Sequence, residues 1–181
     1  NGAILCWGAF WGDEYEAPNI ELSSLSNGYS PTCGLLADGS GVCWGDDSWG
    51  QVSDVPTTKL VSISAGEQHV CGLNENDTVA CWGREGNSAG SAPSGTYQQV
   101  VSGRFHACGI NSDHLMGCWG ENTYGQVSDR PSGTFAFLAT TSIDTICAID
   151  TTAKLVCWGE GSSGQTQPPA DFIPWIGQSI Q

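Results

Sequence analysis

The sequence predicts an all-β chain folded as a β-propeller, and three observations carry that reading. The tripeptide Cys-Trp-Gly occurs five times, starting at Cys6, Cys43, Cys81, Cys118 and Cys157, at intervals of 37, 38, 37 and 39 residues. Four of these cysteines have a partner ten residues upstream, at Cys33, Cys71, Cys108 and Cys147. Helical periodicity is absent along the whole chain. A fixed period of roughly 20 to 50 residues marks a repeat architecture. Small antiparallel units that cannot bury both faces alone stack around an axis.

Each cysteine pair encloses two short apolar runs and a polar turn, as in "CGLLADGSGVC" and "CGLNENDTVAC", and reads as a β-hairpin. In the first, setting Cys33 opposite Cys43 puts Gly34 opposite Val42, Leu35 opposite Gly41 and Leu36 opposite Ser40. Ala37, Asp38 and Gly39 remain as a three-residue loop, which needs a left-handed residue at its end, and Gly39 supplies it. Directly opposed residues have Cα atoms about 4.5 to 5.5 Å apart, within reach of a disulfide. The predicted bridges are Cys33–Cys43, Cys71–Cys81, Cys108–Cys118 and Cys147–Cys157. Zinc is disfavoured: His69 and His106 lie near the cysteines, but zinc sites want two cysteines about two to four residues apart.

The rest of each unit follows the hairpin. A Gly-rich link such as "DDSWGQ" or "ENTYGQ" comes first, then a Pro-containing segment, then a third apolar stretch such as "LVSISAGEQHV". Three or four short strands per unit of about 37 residues make one antiparallel blade. At the N-terminus "NGAILCWG" matches "DGSGVCWG", and "DFIPWIGQSIQ" at the C-terminus resembles the stretch before a hairpin. The expected architecture is therefore a single domain over 1–181. Its five blades close through a composite blade made of 1–8 and about 170–181. Cys6 stands where the second member of a pair would stand. Residues absent from the sequence, a buried free thiol and a link to a second chain all remain open for it.

Composition narrows the setting. Five Lys and Arg against 19 Asp and Glu give a net charge of −14, which excludes a phosphate backbone and disfavours anionic membrane surfaces. Nine cysteines, eight of them in regular pairs, point to an oxidising compartment and a secreted, extracellular protein. No initiator Met, signal-like segment or membrane-length apolar run is present, so the chain reads as a mature or trimmed form that does not insert in membranes. Asn76-Asp77-Thr78 is a glycosylation sequon in a predicted hairpin turn.

The stretches "GEQHVCGL" (66–73), "DGSGVCWG" (38–45), "WGDDSWGQ" (44–51), "GRFHACGI" (103–110) and "WGENTYGQ" (119–126) resemble the repeats of the regulator-of-chromosome-condensation family. The cysteine pairing is most similar to its extracellular, disulfide-bearing branch. The resemblance implies a propeller, although family members commonly have seven blades of longer repeats, and a seven-bladed protein cut short stays open. Nuclear members are nucleotide exchange factors that bind chromatin, a role that acidity and secretion exclude here. A fold carries little function with it.

His69 and His106 have Pro31 and Thr145 as counterparts, so they read as structural residues bonded to backbone within their own blades. His114 falls in a turn and reads as solvated. No catalytic triad order, phosphate loop, metal-binding run or cofactor motif occurs, and an enzyme is not expected. Trp7, Trp44, Trp82, Trp119 and Trp158 recur in every unit and read as packing between blades. Trp11, Trp49 and Tyr124 vary among units and fall in the rim link. "WGQVSDVP" (49–56) and "YGQVSDRP" (124–131) place an aromatic face beside polar groups, an arrangement that suits a sugar ring. Trp49, Gln51, Ser53 and Asp54 form one candidate site, and Tyr124, Gln126, Ser128 and Asp129 form the other. The expected function is a secreted lectin binding glycans or glycoproteins through repeated weak sites. The alternative is a protein-binding propeller, an inhibitor or a receptor-ectodomain-like module, using the same rim.

Overall fold

Twelve strands follow one another in four groups of three. They are β1 (Ser24–Asn27), β2 (Pro31–Leu35), β3 (Gly41–Gly45), β4 (Leu60–Ala65), β5 (His69–Asn74), β6 (Val79–Gly83), β7 (Gln99–Ser102), β8 (His106–Ile110), β9 (Met116–Gly120), β10 (Phe135–Thr140), β11 (Thr145–Asp150) and β12 (Leu155–Gly159). The computed structural model describes residues 18–84, 92–140 and 144–169, among which no helix occurs. Each group is a separate antiparallel sheet in the order first, second, third strand. The segments 1–8 and 170–181 expected to form a composite blade, together with Cys6, Trp7 and Trp11, lie outside the described residues.

The hairpin register follows the cysteines. Cys33 pairs with Cys43, Gly34 with Val42 and Leu35 with Gly41, and the Leu36 amide donates to the Ser40 carbonyl at 2.9 Å to close the loop. Counting back from that bond, the cysteines occupy a non-hydrogen-bonded pair, where the strands lie closest. All four bridges span Cα atoms 4.1 Å apart. Gly39 has φ +81°, and the equivalent loop position is left-handed in the other three hairpins at Asp77, His114 and Ala153. The Trp-Gly signature has its own cause. Gly45, Gly83, Gly120 and Gly159 hold φ from +94° to +108°, and a Cβ on Gly83 would sit 2.6 Å from the Gln68 carbonyl oxygen. Only glycine fits there.

The recurring tryptophans join one sheet to the next. Trp82 packs with Cys33, Leu35 and Cys43 of the preceding sheet, Trp119 with Cys71 and Leu73, and Trp158 with Cys108, Ile110 and Cys118. The first strands β1, β4, β7 and β10 run side by side as the inner edge of the stack. Bare strand edges invite unwanted pairing, and side chains cover part of this one. Ser26 Oγ accepts the Ala65 amide at 2.9 Å, and Ser64 Oγ accepts the Ser102 amide at 2.8 Å. The Gln99 amide group exchanges both hydrogen bonds with the Leu138 backbone, each at 2.8 Å. These strands line a cavity of about 280 Å³ whose described wall, from Ser26 to Thr140, carries no charged side chain.

Candidate functional site

The links after β3, β9 and β12 are built alike. In each, a Gln side chain turns inward and closes the loop. Its Oε1 accepts the amide two residues earlier at 2.8 Å, from Trp49 to Gln51, Tyr124 to Gln126 and Ser163 to Gln165. Its Nε2 donates to a carboxylate: Gln51 to Asp46 at 3.3 Å, Gln126 to Asp144 at 3.1 Å, and Gln165 to Glu160. The Gln51 and Gln126 carbonyls also accept the indole N–H of Trp82 and Trp158, at 3.0 and 2.9 Å. The Gly-Gln pair thus ties one sheet to the next.

This geometry corrects part of the predicted sugar site. Gln51 and Gln126 are fully buried, with both ends of the amide already engaged, so neither reaches a ligand. Asp54 and Asp129 fold back over Gly50 and Gly125, where Oδ2 lies 2.1 and 2.2 Å from the position of a Cβ. Ser53 and Ser128 are exposed, with their amides held by Asp47 Oδ1 and Asn122 Oδ1 at 2.9 Å. Trp49 and Tyr124 are half-exposed, at 46% and 50%. The Trp49 ring, however, has the Arg84 guanidinium 4.7 Å above its centroid, which leaves less of the ring for a sugar to stack on.

Arg84 instead begins a run across repeats. Its guanidinium also lies 5.7 Å from the Phe105 ring, and its Nη1 donates to Gln68 Oε1 at 2.6 Å. Arg104 stands 4.9 Å from the Phe105 ring and pairs with Glu67 at 2.7 Å. Its Nη1 lies 3.9 Å from Asp144, which burial pushes up from the ordinary carboxylate range while the Gln126 hydrogen bond and Arg104 hold it down. Trp49, Arg84, Phe105, Arg104 and Tyr124 all sit in links and turns at the Trp-Gly end of the strands. Tyr29, 72% exposed in the turn before β2, shares that end. Sequence reading missed Tyr29, Arg84, Phe105 and Arg104. The available signal was the pair of positions between Gly and His in Gly-x-x-His, which hold Glu67-Gln68 in one repeat and Arg104-Phe105 in the next.

Beneath this face His69 and His106 are buried, at 2% and 0% exposure. The expectation that each bonds backbone in its own blade is corrected. Among the described residues His69 Nε2 and both His106 ring nitrogens are without a hydrogen bond, and the backbone that acts on the His69 ring is that of Arg104 in the next sheet. His114 is exposed at its turn, with Nδ1 3.2 Å from the Phe135 carbonyl.

The profile described as the regulator of chromosome condensation (RCC1) repeat matches residues 60–90 and 97–126. The chain carries RCC1 repeats. The entire ectodomain of the Physcomitrella patens receptor kinase CR4 superposes with a TM-score of 0.76 at 27% identity, over 88% of this chain and 47% of that one. The CRINKLY WD40 ectodomain of the Arabidopsis thaliana receptor kinase ACR4 is 36% identical, with a TM-score of 0.66 over 76% of this chain and 50% of that one. Prp20p of Saccharomyces cerevisiae, described with its binding to Gsp1p and histones, shares the fold at 17% identity and a TM-score of 0.71, over 81% of this chain and 46% of that one. The RCC1-repeat chain spans about half the length of the receptor ectodomains it matches. No curated protein matches its sequence.

Proposed function

We propose that the chain is an extracellular protein-binding module that engages its partner through the Trp-Gly end of the sheets. The observation that carries this reading is the continuous run Trp49–Arg84–Phe105–Arg104 across neighbouring repeats, with Tyr29 and Tyr124 exposed at the same end. Trp, Tyr and Arg dominate the energetic centres of protein interfaces. Stacked guanidiniums are held in place before contact, so less side-chain entropy is lost on binding. The likeness to receptor-kinase ectodomains supports the same reading, and four disulfides support the extracellular setting. The lectin reading is the weaker one, because Gln51 and Gln126 are buried and Arg84 covers Trp49.

The test is a paired screen of the protein against immobilised glycans, with and without calcium, and against immobilised extracellular proteins. The expected outcome is a blank glycan set and a saturable protein hit. A coherent group of glycans sharing one terminal sugar would contradict the proposal.

The proposed frame is a five-bladed ring. Leu25 is 51% exposed, whereas its counterparts Val100 and Leu138 are buried between sheets, so the first sheet has a flank that a further blade would cover. The segments 1–8 and 170–181, outside the described residues, are the candidates for it. Removing 170–181 is then expected to lower the melting temperature, and an unchanged melt argues against closure.

A further inference from the structure

We infer that Asn76 is an N-glycosylation site, carried at the end of the second sheet opposite the proposed binding face. Asn76-Asp77-Thr78 is the only Asn-x-Ser/Thr sequence in the chain. It forms the tip of the hairpin between β5 and β6, with Glu75, Asn76 and Asp77 all exposed. Asn76 Oδ1 accepts the Thr78 hydroxyl at 2.7 Å and the Thr78 amide at 3.3 Å. Among the described residues nothing bonds its Nδ2, the atom that would carry the sugar.

The first hairpin separates structure from surplus. Asp38 holds the same place in its turn and makes the same bonds, to the Ser40 amide at 3.0 Å and the Ser40 hydroxyl at 3.1 Å. A carboxylate therefore meets the needs of the turn, and the fold does not require the amide nitrogen of Asn76. The glycan would not obstruct binding. Asn76 precedes β6 and Arg84 follows it, so the two lie a strand length apart, roughly 17 Å for five residues.

In the transfer, Nδ2 attacks the anomeric carbon of a lipid-diphosphate-linked oligosaccharide and forms the N-glycosidic bond. The carbon–oxygen bond to the diphosphate breaks, the lipid diphosphate leaves with the electron pair, and Nδ2 loses one proton. The inference rests on the extracellular reading, because the donor is met only in the secretory pathway.

The test expresses the chain behind a host leader in a glycosylating eukaryotic cell and collects both medium and cell-retained protein. The peptide spanning Asn76 is then read by mass spectrometry before and after an N-glycan-releasing amidase. Wild type is expected to carry a glycan mass on that peptide, which the amidase removes while converting Asn76 to Asp. Asn76→Asp keeps the turn's acceptor and is expected to fold and lack the glycan, as is Thr78→Ala. An unmodified Asn76 in wild-type protein from either fraction overturns the site. Because the leader is supplied, that result would leave the extracellular reading standing.

Discussion

Reduction of the four disulfides is expected to unfold the chain at room temperature. Each bridge joins cysteines ten residues apart, and by loop-closure entropy each contributes about 3 kcal/mol. Together they amount to roughly 12 kcal/mol, against a typical net stability of about 5 to 15 kcal/mol for a domain. Few other interactions replace them, since each sheet has three strands of four to six residues. The cysteines of the first three bridges also belong to, or pack against, the clusters that receive Trp82, Trp119 and Trp158 from the next sheet. Tryptophan fluorescence and near-ultraviolet circular dichroism, recorded with thiol reductant and followed by alkylation to count the freed cysteines, check this. Loss of the cooperative melt is the expected result. A fully alkylated chain that melts at the oxidised temperature would contradict it.

Mild acid is expected to destabilise the fold through His69 and His106. Burial lowers both rings from 6.5 to about 4, and for His69 the neighbouring His106 adds like-charge repulsion while the Arg104 carbonyl opposes the shift. Both folded values are depressed, so their contribution is complete above pH 6.5 and declines as pH falls towards 4. In that window the unfolded chain takes up protons that the folded chain refuses. Two such groups remove about 4 kcal/mol between pH 7 and pH 5. Asp144, pushed up by burial, offsets part of the loss at the acid end, and the carboxylates of Asp47, Asp150 and Glu160, held low by hydrogen bonds, act below this range. Urea denaturation at pH 7, 6 and 5 gives the curve. A midpoint that does not move across those values would mean that the two rings accept protons in the folded state.

Local structure was legible in the sequence because it is set by short-range chemistry. The ten-residue spacing of Cys33 and Cys43 gave the hairpin register, and Gly39 marked the left-handed loop position. The same conformation at Asp77, His114 and Ala153 had no comparable signal, since the loop geometry overrides their individual preferences. Gln51 and Gln126 were misread because a polar residue beside an exposed aromatic looks like surface. Their burial depends on a loop that folds back to place the amide under its own backbone. Arg84, Phe105 and Arg104 were missed for another reason. Their contacts join separate repeats, and only the stacking of sheets brings a guanidinium over a ring.

The proposed function depends most directly on where a partner touches the molecule. Once the protein screen yields a ligand, its affinity should be measured for Trp49→Ala, Arg84→Ala, Phe105→Ala and Leu115→Ala. Leu115 is an exposed apolar residue at the opposite, hairpin-turn end and serves as the control. The expected result is a loss of about 30-fold or more, roughly 2 kcal/mol, for at least two of the three substitutions at the Trp-Gly end. Leu115→Ala should stay close to wild type. Full affinity in all three variants, with the loss falling on Leu115→Ala, would place the interface at the other end of the sheets and contradict the proposed function.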